Sequence, residues 1–312
     1  MKKVKLKNTD LILSNICYGT GNFGERLHKD EAFHMLDTFV DLGGNFIDTA
    51  NVYCRWVPGL GNSSEQYIGQ WLKERNAYHD IVIATKGGHY DFSAPEISRV
   101  SKKEIQKDLE ESLRTLGKDC IDFYWLHRDD ETVDIREIRD MMEDFVVQGK
   151  IRYYGASNYG QERVTQAKNY AEKNNLQGFS AVSNQWSIAK VNKGGDFQFD
   201  PTLVMMDGNY YEWHKETQTP LVPFSVSSQG FFDKQYRNVE LSEKMKKMYL
   251  NEENMKKYQK MCRLKEQYGV SMQAVTLAWF LNQPFQVFPV TAVSSEEQMK
   301  DFEMASELVL DI

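Results

Sequence analysis

Cysteine is scarce in this sequence: Cys17, Cys54, Cys120 and Cys262 are the only four in 312 residues. They stand far apart without metal-ligand spacing, so no metal site is expected. Cys17 and Cys120 lie in apolar runs and read as buried thiols, a usage that suits a reducing compartment. Long hydrophobic runs are also missing. No stretch is long enough to cross a bilayer, and the charged start, Met1 to Lys7, is not followed by the apolar core of a signal peptide. A cytoplasmic protein with no membrane partner is therefore expected. Positive charge is not in surplus: the formal net charge is −7, which argues against nucleic acid as a partner. Low-complexity linkers and sequence repeats are absent too.

What is present is an alternation. Short apolar runs, several β-branched or aromatic, lie near Ile16–Tyr18, Asn45–Asp48, Ile81–Thr85, Ile121–Leu126, Arg152–Ala156, Ser180–Ser183, Leu221–Phe224 and Val287–Val290. Helical spacing fills most of the intervals, most clearly over Glu31–Leu42, Glu65–Lys73, Lys103–Leu116, Ile135–Gln148 and Gln161–Lys173. Strand alternating with helix implies parallel pairing. Eight such units predict an α/β fold, a single (β/α)8 TIM barrel spanning residues 1–312, and the 41% hydrophobic content can fill its core. Val4–Leu6 and Leu11–Leu13 around Asn8-Thr9-Asp10 read as a short hairpin ahead of the barrel. Asp200–Glu216 reads as an insertion with an aromatic cluster at Tyr210, Tyr211 and Trp213. Two helices, Glu252–Tyr268 and Ser271–Leu281, precede the last strand. Insertions in barrels usually gather at the mouth where substrates bind.

Gly19-Thr20-Gly21-Asn22-Phe23-Gly24 fits G-x-G-x-x-G after a strand, with Asp48 at the distance of a ribose-binding acid. It admits two readings, a doubly wound dinucleotide fold or a tight turn that needs glycine dihedrals. The helix should open on the last glycine in the first reading. Here Glu25 to Lys29 intervene, and Asp30 reads as the helix cap.

Three polar residues end three successive strands: Asp48, Lys86 and His127. In a parallel barrel all strands end at one mouth, so these side chains should converge, and Tyr53 can join them from the loop after Asp48. Singly, each reads as a solvated strand end, and an Asp–Lys pair can be purely structural. Together they suit carbonyl reduction, which needs hydride at carbon and a proton at oxygen. A tyrosine hydroxyl, with an ordinary pKa of about 10, becomes a better acid beside an ammonium. Lys86 can lower it, Asp48 can hold Lys86 charged, and His127 can orient the carbonyl oxygen.

The segments Gly43-Gly44-Asn45-Phe46-Ile47-Asp48-Thr49-Ala50-Asn51-Val52-Tyr53, Ala84-Thr85-Lys86-Gly87-Gly88 and Trp125-Leu126-His127-Arg128 resemble the motifs of the aldo-keto reductases. The resemblance runs through nearly the whole chain. It implies a catalytic tetrad of Asp48, Tyr53, Lys86 and His127 and a nicotinamide cofactor. Gly155-Ala156-Ser157-Asn158 resembles the segment that holds the nicotinamide carboxamide, with Gln185 as its third ligand. Phe224 takes the place of the aromatic that stacks on the nicotinamide. Ser225 to Gly230, with Ser225, Ser227, Gln229 and Gly230, resembles the loop that covers the pyrophosphate. Gly19, Thr20, Gly21 and Asp48 then line the cofactor, and the glycine motif is not a Rossmann turn. The adenosine end departs from the family pattern. Ala292, Ser294, Gln298 and Phe302 stand there, with no basic partner for a 2′-phosphate, and Asp301 either meets adenine or is solvated. Val226 and Ser227 also break the usual pyrophosphate-loop sequence. NADP(H) is the first expectation and NAD(H) the second.

The substrate is expected to be a small carbonyl compound, aromatic or sugar-like, bordered by Trp56, His89, Tyr90, Arg128 and the Tyr210–Trp213 cluster. Arg55 and Arg128 either favour polar or anionic substrates or pair with Asp129 and Asp130. Two other functions fit parts of the pattern: an aldolase using Lys86 for a Schiff base, and a non-catalytic nucleotide-binding barrel. A homo-oligomer is compatible with each of these readings.

Overall fold

Seven of the eight apolar runs become ladder strands of one parallel sheet, and the remaining run closes it into a barrel. The computed structural model describes residues 1–192 and 200–311. The sheet contains β3 (Cys17–Gly19), β4 (Phe46–Asp48), β5 (Val82–Gly87), β6 (Ile121–Leu126), β7 (Ile151–Ser157), β8 (Val182–Ser183) and β9 (Val290–Thr291). They pair in chain order, with β9 beside β3. Leu221 bridges β8 at Val182 on one side and Val287 on the other. Val222 N–H donates to Val182 O at 2.8 Å, and Leu221 N–H to Gln286 O at 2.9 Å. Pro220 precedes this run and Pro223 interrupts it, and proline has no N–H to extend a ladder. The expected seventh strand is therefore reduced to single bridges. The last ladder strand starts at Val290, later than the run expected at Val287.

Successive side chains on a strand alternate between faces, and the barrel interior follows that rule. Cys17, Phe46, Ala84, Phe123, Trp125, Ala181, Val222 and Phe288 form one buried apolar cluster inside the barrel. Gly155 lies at the same level. A Cβ there would fall 2.4 Å from the Trp125 ring and 2.5 Å from Ala181 O, so the missing side chain is the space the indole fills. The hairpin β1 (Lys3–Lys5) and β2 (Ile12–Ser14) adds Leu6, Leu11 and Leu13 to this cluster from below.

The helices α1 (Lys29–Asp41), α2 (Ser63–Arg75), α3 (Lys102–Leu116), α4 (Ile135–Val147) and α5 (Gln161–Asn174) follow the expected spacing. In α3, Ile105, Leu109, Ser112 and Leu116 recur on one buried face. Ser101 caps its start by accepting from Glu104 N–H, and Gly117 ends it at φ 67°. The expected cap of α1, Asp30, lies inside the helix instead. His28 holds the cap position, and its N–H donates to the Glu31 carboxylate at 2.8 Å. The insertion carries α6 (Gly208–Thr217). After it, α7 (Phe231–Tyr236) and α8 (Glu243–Tyr249) precede the expected α9 (Glu252–Tyr268) and α10 (Met272–Leu281), and α11 (Glu296–Glu307) ends the chain. One or two helical turns are too short to leave a periodic signal, which is why α7 and α8 are not legible. Cys17 is buried as expected, but Cys120 is half-buried. Among the described residues, no helix is long and apolar enough to cross a membrane, and no group of side chains could hold a metal ion.

Candidate active site

One residue past the apolar level lies the other strand face, and two past it the interior changes character. Gly19, Asp48, Lys86, His127, Ser157, Ser183, Phe224 and Val290 each stand two residues beyond an interior position and line a cavity of about 360 Å³ at the strand C-termini. Tyr53 and Arg128 line it too. Lys86 is 4% exposed and makes three hydrogen bonds: to Asp48 Oδ2 at 2.5 Å, Thr49 O at 2.7 Å and Tyr53 Oη at 3.0 Å. An ammonium has three donors and no acceptor, so each of its protons is placed.

The electrostatics follow from burial and these partners. Burial opposes the charge of Lys86, yet Asp48 and Tyr53 hold the ammonium above its ordinary value. Burial pushes the Asp48 carboxyl up while Lys86 pulls it back. Burial also pushes the Tyr53 hydroxyl above its ordinary range, against the pull of Lys86. Here the structure departs from the sequence argument, which weighed the ammonium but not the loss of water. The phenol keeps its proton at neutral pH. His127 is driven well below its ordinary value by burial and by Arg128 and His89 beside it, and is neutral. His89 is lowered to about 4, by burial first and Arg128 second.

The strand ends are fixed from behind by the start of α2. Ser64 Oγ donates to Thr20 O at 2.9 Å and lies 2.8 Å from the hydroxyls of both Thr20 and Thr49. Thr20 Oγ1 donates to Asp48 O at 2.9 Å, so its side chain turns away from the cavity. Glu65, fully buried, accepts from Thr85 Oγ1 at 2.6 Å and Asn62 Nδ2 at 3.0 Å, and burial pushes its carboxyl up to about 7. Gly24, last of the glycine motif, opens no helix. At φ +103° it turns the chain against α2, where a Cβ would meet Ser63 Oγ at 2.2 Å.

Of the expected cofactor residues, Gly19, Gly21, Asp48, Ser157, Asn158, Phe224, Ser225, Ser227 and Gln229 line the cavity. Gln185 is buried beside it, and its Oε1 has no hydrogen-bond partner. A buried amide oxygen without a donor is costly, and a carboxamide N–H of a bound nicotinamide is a fitting partner. Asn158 Nδ2 donates to His127 O at 3.1 Å and lies 3.2 Å from Ser157 Oγ. Ser225, Ser228, Gln229 and Gly230 all take positive φ, giving a tight winding that leads into α7. Gly230 caps α7. Ser294 and Gln298 stand outside the cavity: Ser294 N–H donates to Gln298 Oε1 at 3.2 Å, and Gln298 N–H to Ser295 Oγ at 3.3 Å, which ties both to the start of α11. Asp301 is largely buried on α11, and Phe302 is core packing against Tyr18 and Phe39.

The expected substrate residues divide. His89 packs on His127 with ring centroids 4.8 Å apart, and Trp56 on Tyr53 at 6.3 Å. Phe92, absent from the sequence reading, joins Trp56 at 6.0 Å and His89 at 5.3 Å. Tyr90 OH donates to Asp200 Oδ2 at 3.0 Å. The Tyr210–Trp213 cluster is not at the rim. Tyr210 and Trp213 are buried, Tyr210 OH donates to Tyr159 O, and Tyr211 packs on Phe285 and Trp186. Their spacing on α6 turns them into the core. Arg55 pairs with Glu111, Arg128 with Asp200, and Asp129 with Arg163, so neither arginine pairs with Asp129 or Asp130. Leu203 and Val226 also line the cavity. Val226 belongs to the segment expected over the pyrophosphate, whereas only the fold could find Leu203, because an apolar residue in a loop carries no chemical signal.

Comparison with known proteins agrees with this geometry. The model of the aldo/keto reductase family matches residues 15–312. An aryl-alcohol dehydrogenase of Pestalotiopsis microspora is 29% identical, over 90% of this chain and 69% of its own length. The norsolorinic acid reductase of Aspergillus flavus is 28% identical, over 96% of this chain and 75% of its own. An aryl-alcohol dehydrogenase [NADP(+)] of Phanerodontia chrysosporium is 32% identical over 57% of this chain and 49% of its own. With a parallel barrel, a cavity at its C-terminal mouth and a family match over almost every residue, the chain belongs to the aldo/keto reductase family and is an NAD(P)H-dependent oxidoreductase.

Proposed function

We propose that this mouth reduces an aldehyde or ketone to the alcohol, with Tyr53 as the proton donor. The observation that carries the reading is the direction of one hydrogen bond. Lys86 can only donate, so Tyr53 Oη accepts from it. The phenolic proton must then point elsewhere, and the cavity is where a carbonyl oxygen can take it. Lys86 stabilises the phenolate left behind, Asp48 keeps Lys86 charged, and neutral His127 can donate to the same carbonyl oxygen. A reduced nicotinamide, when bound, would supply the hydride.

Ser157, Asn158 and Gln185 would hold the carboxamide, Phe224 would lie against the ring, and Gly19, Gly21, Ser225, Ser227, Gln229 and Gly230 would follow the diphosphate, while the Thr20 side chain, turned away, would not. Ser294, Gln298 and Asp301 stay at the adenosine end on the family resemblance. NADP(H) is the cofactor we assign, supported by the aryl-alcohol dehydrogenase [NADP(+)] among the relatives. NAD(H) should also serve, since no basic residue lies over Ala292–Ser295. Aryl carbonyls are the substrate class supported by the rim of Trp56, Phe92 and His89 and by the names of the relatives. A Schiff-base role for Lys86 is disfavoured, because a buried, charged amine with all three protons bonded is no nucleophile.

The test is Tyr53→Phe, assayed by single-turnover reduction of an aryl aldehyde. We expect hydride transfer to slow by at least about 100-fold while fluorescence titration shows unchanged cofactor affinity. A near wild-type rate would remove Tyr53 from the role.

A further inference from the structure

We propose that Asp200 makes this mouth selective for uncharged carbonyl substrates by neutralising Arg128, an inference that rests on the carbonyl-reduction reading above. Arg128 follows His127 and lines the cavity. A guanidinium at such a place would ordinarily recognise a carboxylate, through parallel N–H donors. Here each guanidinium nitrogen already donates one hydrogen bond within the protein, which uses three of the five N–H groups. Nη2 donates to Asp200 Oδ2 at 2.8 Å, Nε to Thr202 Oγ1 at 2.8 Å and Nη1 to His127 O at 2.8 Å. Asp200 is held in turn. Its Oδ2 also accepts from Tyr90 OH, and its Oδ1 accepts from Thr202 N–H at 3.0 Å and from the Thr202 hydroxyl.

The side chains of Arg128 and Asp200 are 9% and 14% exposed, so water screens the pair poorly. Against its burial, Thr202 and Arg128 hold the Asp200 carboxyl down at about 2, so it stays ionised. The rest of the cavity repeats the pattern: Lys86 is matched by Asp48, His127 is neutral, and so is His89 packed against it. A carboxylate entering beside Arg128 would have to displace Asp200 or lie next to it, losing its hydration without gaining a free cation. An uncharged carbonyl compound meets neither cost, and the aromatic rim can pack against it. The same segment sets Leu203 in the cavity wall and places Val204 N–H on Asn158 Oδ1 at 3.2 Å, a bond that does not involve the ion pair.

The experiment compares 4-carboxybenzaldehyde with its amide, 4-carbamoylbenzaldehyde, on wild type, Asp200→Asn and the double variant Asp200→Asn with Arg128→Met. Wild type should prefer the amide in kcat/KM by at least about tenfold, the scale of one charge-assisted hydrogen bond. Asp200→Asn frees the guanidinium while keeping side-chain shape. It should raise kcat/KM for the carboxylate about tenfold, mainly through KM, and leave the amide within about threefold. The double variant should lose that gain. An unchanged ratio in Asp200→Asn, or a wild type that takes the carboxylate as well as the amide, overturns the proposal. Should Asp200→Asn fail to fold, the wild-type ratio decides. Should wild type reduce neither aldehyde, the carbonyl reading fails instead. Calorimetric titration with benzoate and benzamide then decides the charge question: benzamide must bind better to wild type, and a preference for benzoate refutes it.

Discussion

The floor and the mouth of the barrel are built from the same strands, two residues apart, and they obey opposite rules. The floor is Phe46, Ala84, Trp125, Val222 and Phe288, buried and packed on the hairpin below. The mouth is Asp48, Lys86, His127, Phe224 and Val290, where the buried ammonium is tolerated because each of its three protons has an acceptor. Burial at the floor is favourable in itself. Burial at the mouth is costly, and what the cost maintains is a protonated phenol, a neutral imidazole and a fixed ammonium. A mutation on one strand should therefore move stability or chemistry according to which end it lies on.

The sharpest contrast is between Trp125 and Tyr53. Trp125→Ala would empty the barrel interior and should cost about 3–5 kcal/mol in urea unfolding, whereas Tyr53→Phe should leave the unfolding midpoint close to wild type and abolish most hydride transfer. A Trp125→Ala protein as stable as wild type would mean that the floor is not the stabilising layer.

Glu65 tests the intermediate ground, a buried charge behind the mouth rather than in it. Its folded value of about 7 lies above the ordinary 4.5. Between those values the folded protein binds more protons than the unfolded chain, so stability falls as pH rises through this window. Glu65→Gln cannot ionise and should be more stable than wild type above pH 7, by up to roughly 3 kcal/mol. The gain should vanish below the ordinary value of 4.5. Urea unfolding of both proteins at two pH values measures it, and a gain that does not depend on pH would show that Glu65 is already neutral or already paired. The smallest effect concerns the far end of the cofactor. Without a basic side chain there, NADPH should be favoured over NADH by less than about a thousandfold, near 4 kcal/mol, in fluorescence titrations. A larger ratio would reveal a phosphate contact from elsewhere in the chain.

Much of this was legible beforehand because strand ends are local. Asp48, Lys86 and His127 close runs with clear β patterning, and parallel strands must end on one side. The misreadings came where position in space outranks position in the chain. Tyr210 and Trp213 read as rim aromatics because they lie in an insertion, but helical spacing on α6 turns them inward. The pairing of Arg128 was sought among its neighbours Asp129 and Asp130. Asp200, 72 residues away, holds it instead. The lowering of the tyrosine was argued from the ammonium alone, since a sequence does not display burial.

By itself, then, the sequence determined the alternation of eight apolar runs with helices, the mouth to which the polar residues belong, and the chemistry that an Asp, Tyr, Lys and His can share. Those follow from backbone periodicity and from functional groups, which are properties of residues. The tertiary structure decided which proton points where, which charges cancel, and how far water is removed from each. Those depend on distances between residues remote in the chain, and electrostatic energy inside a protein is set by such distances and by the surroundings that screen them.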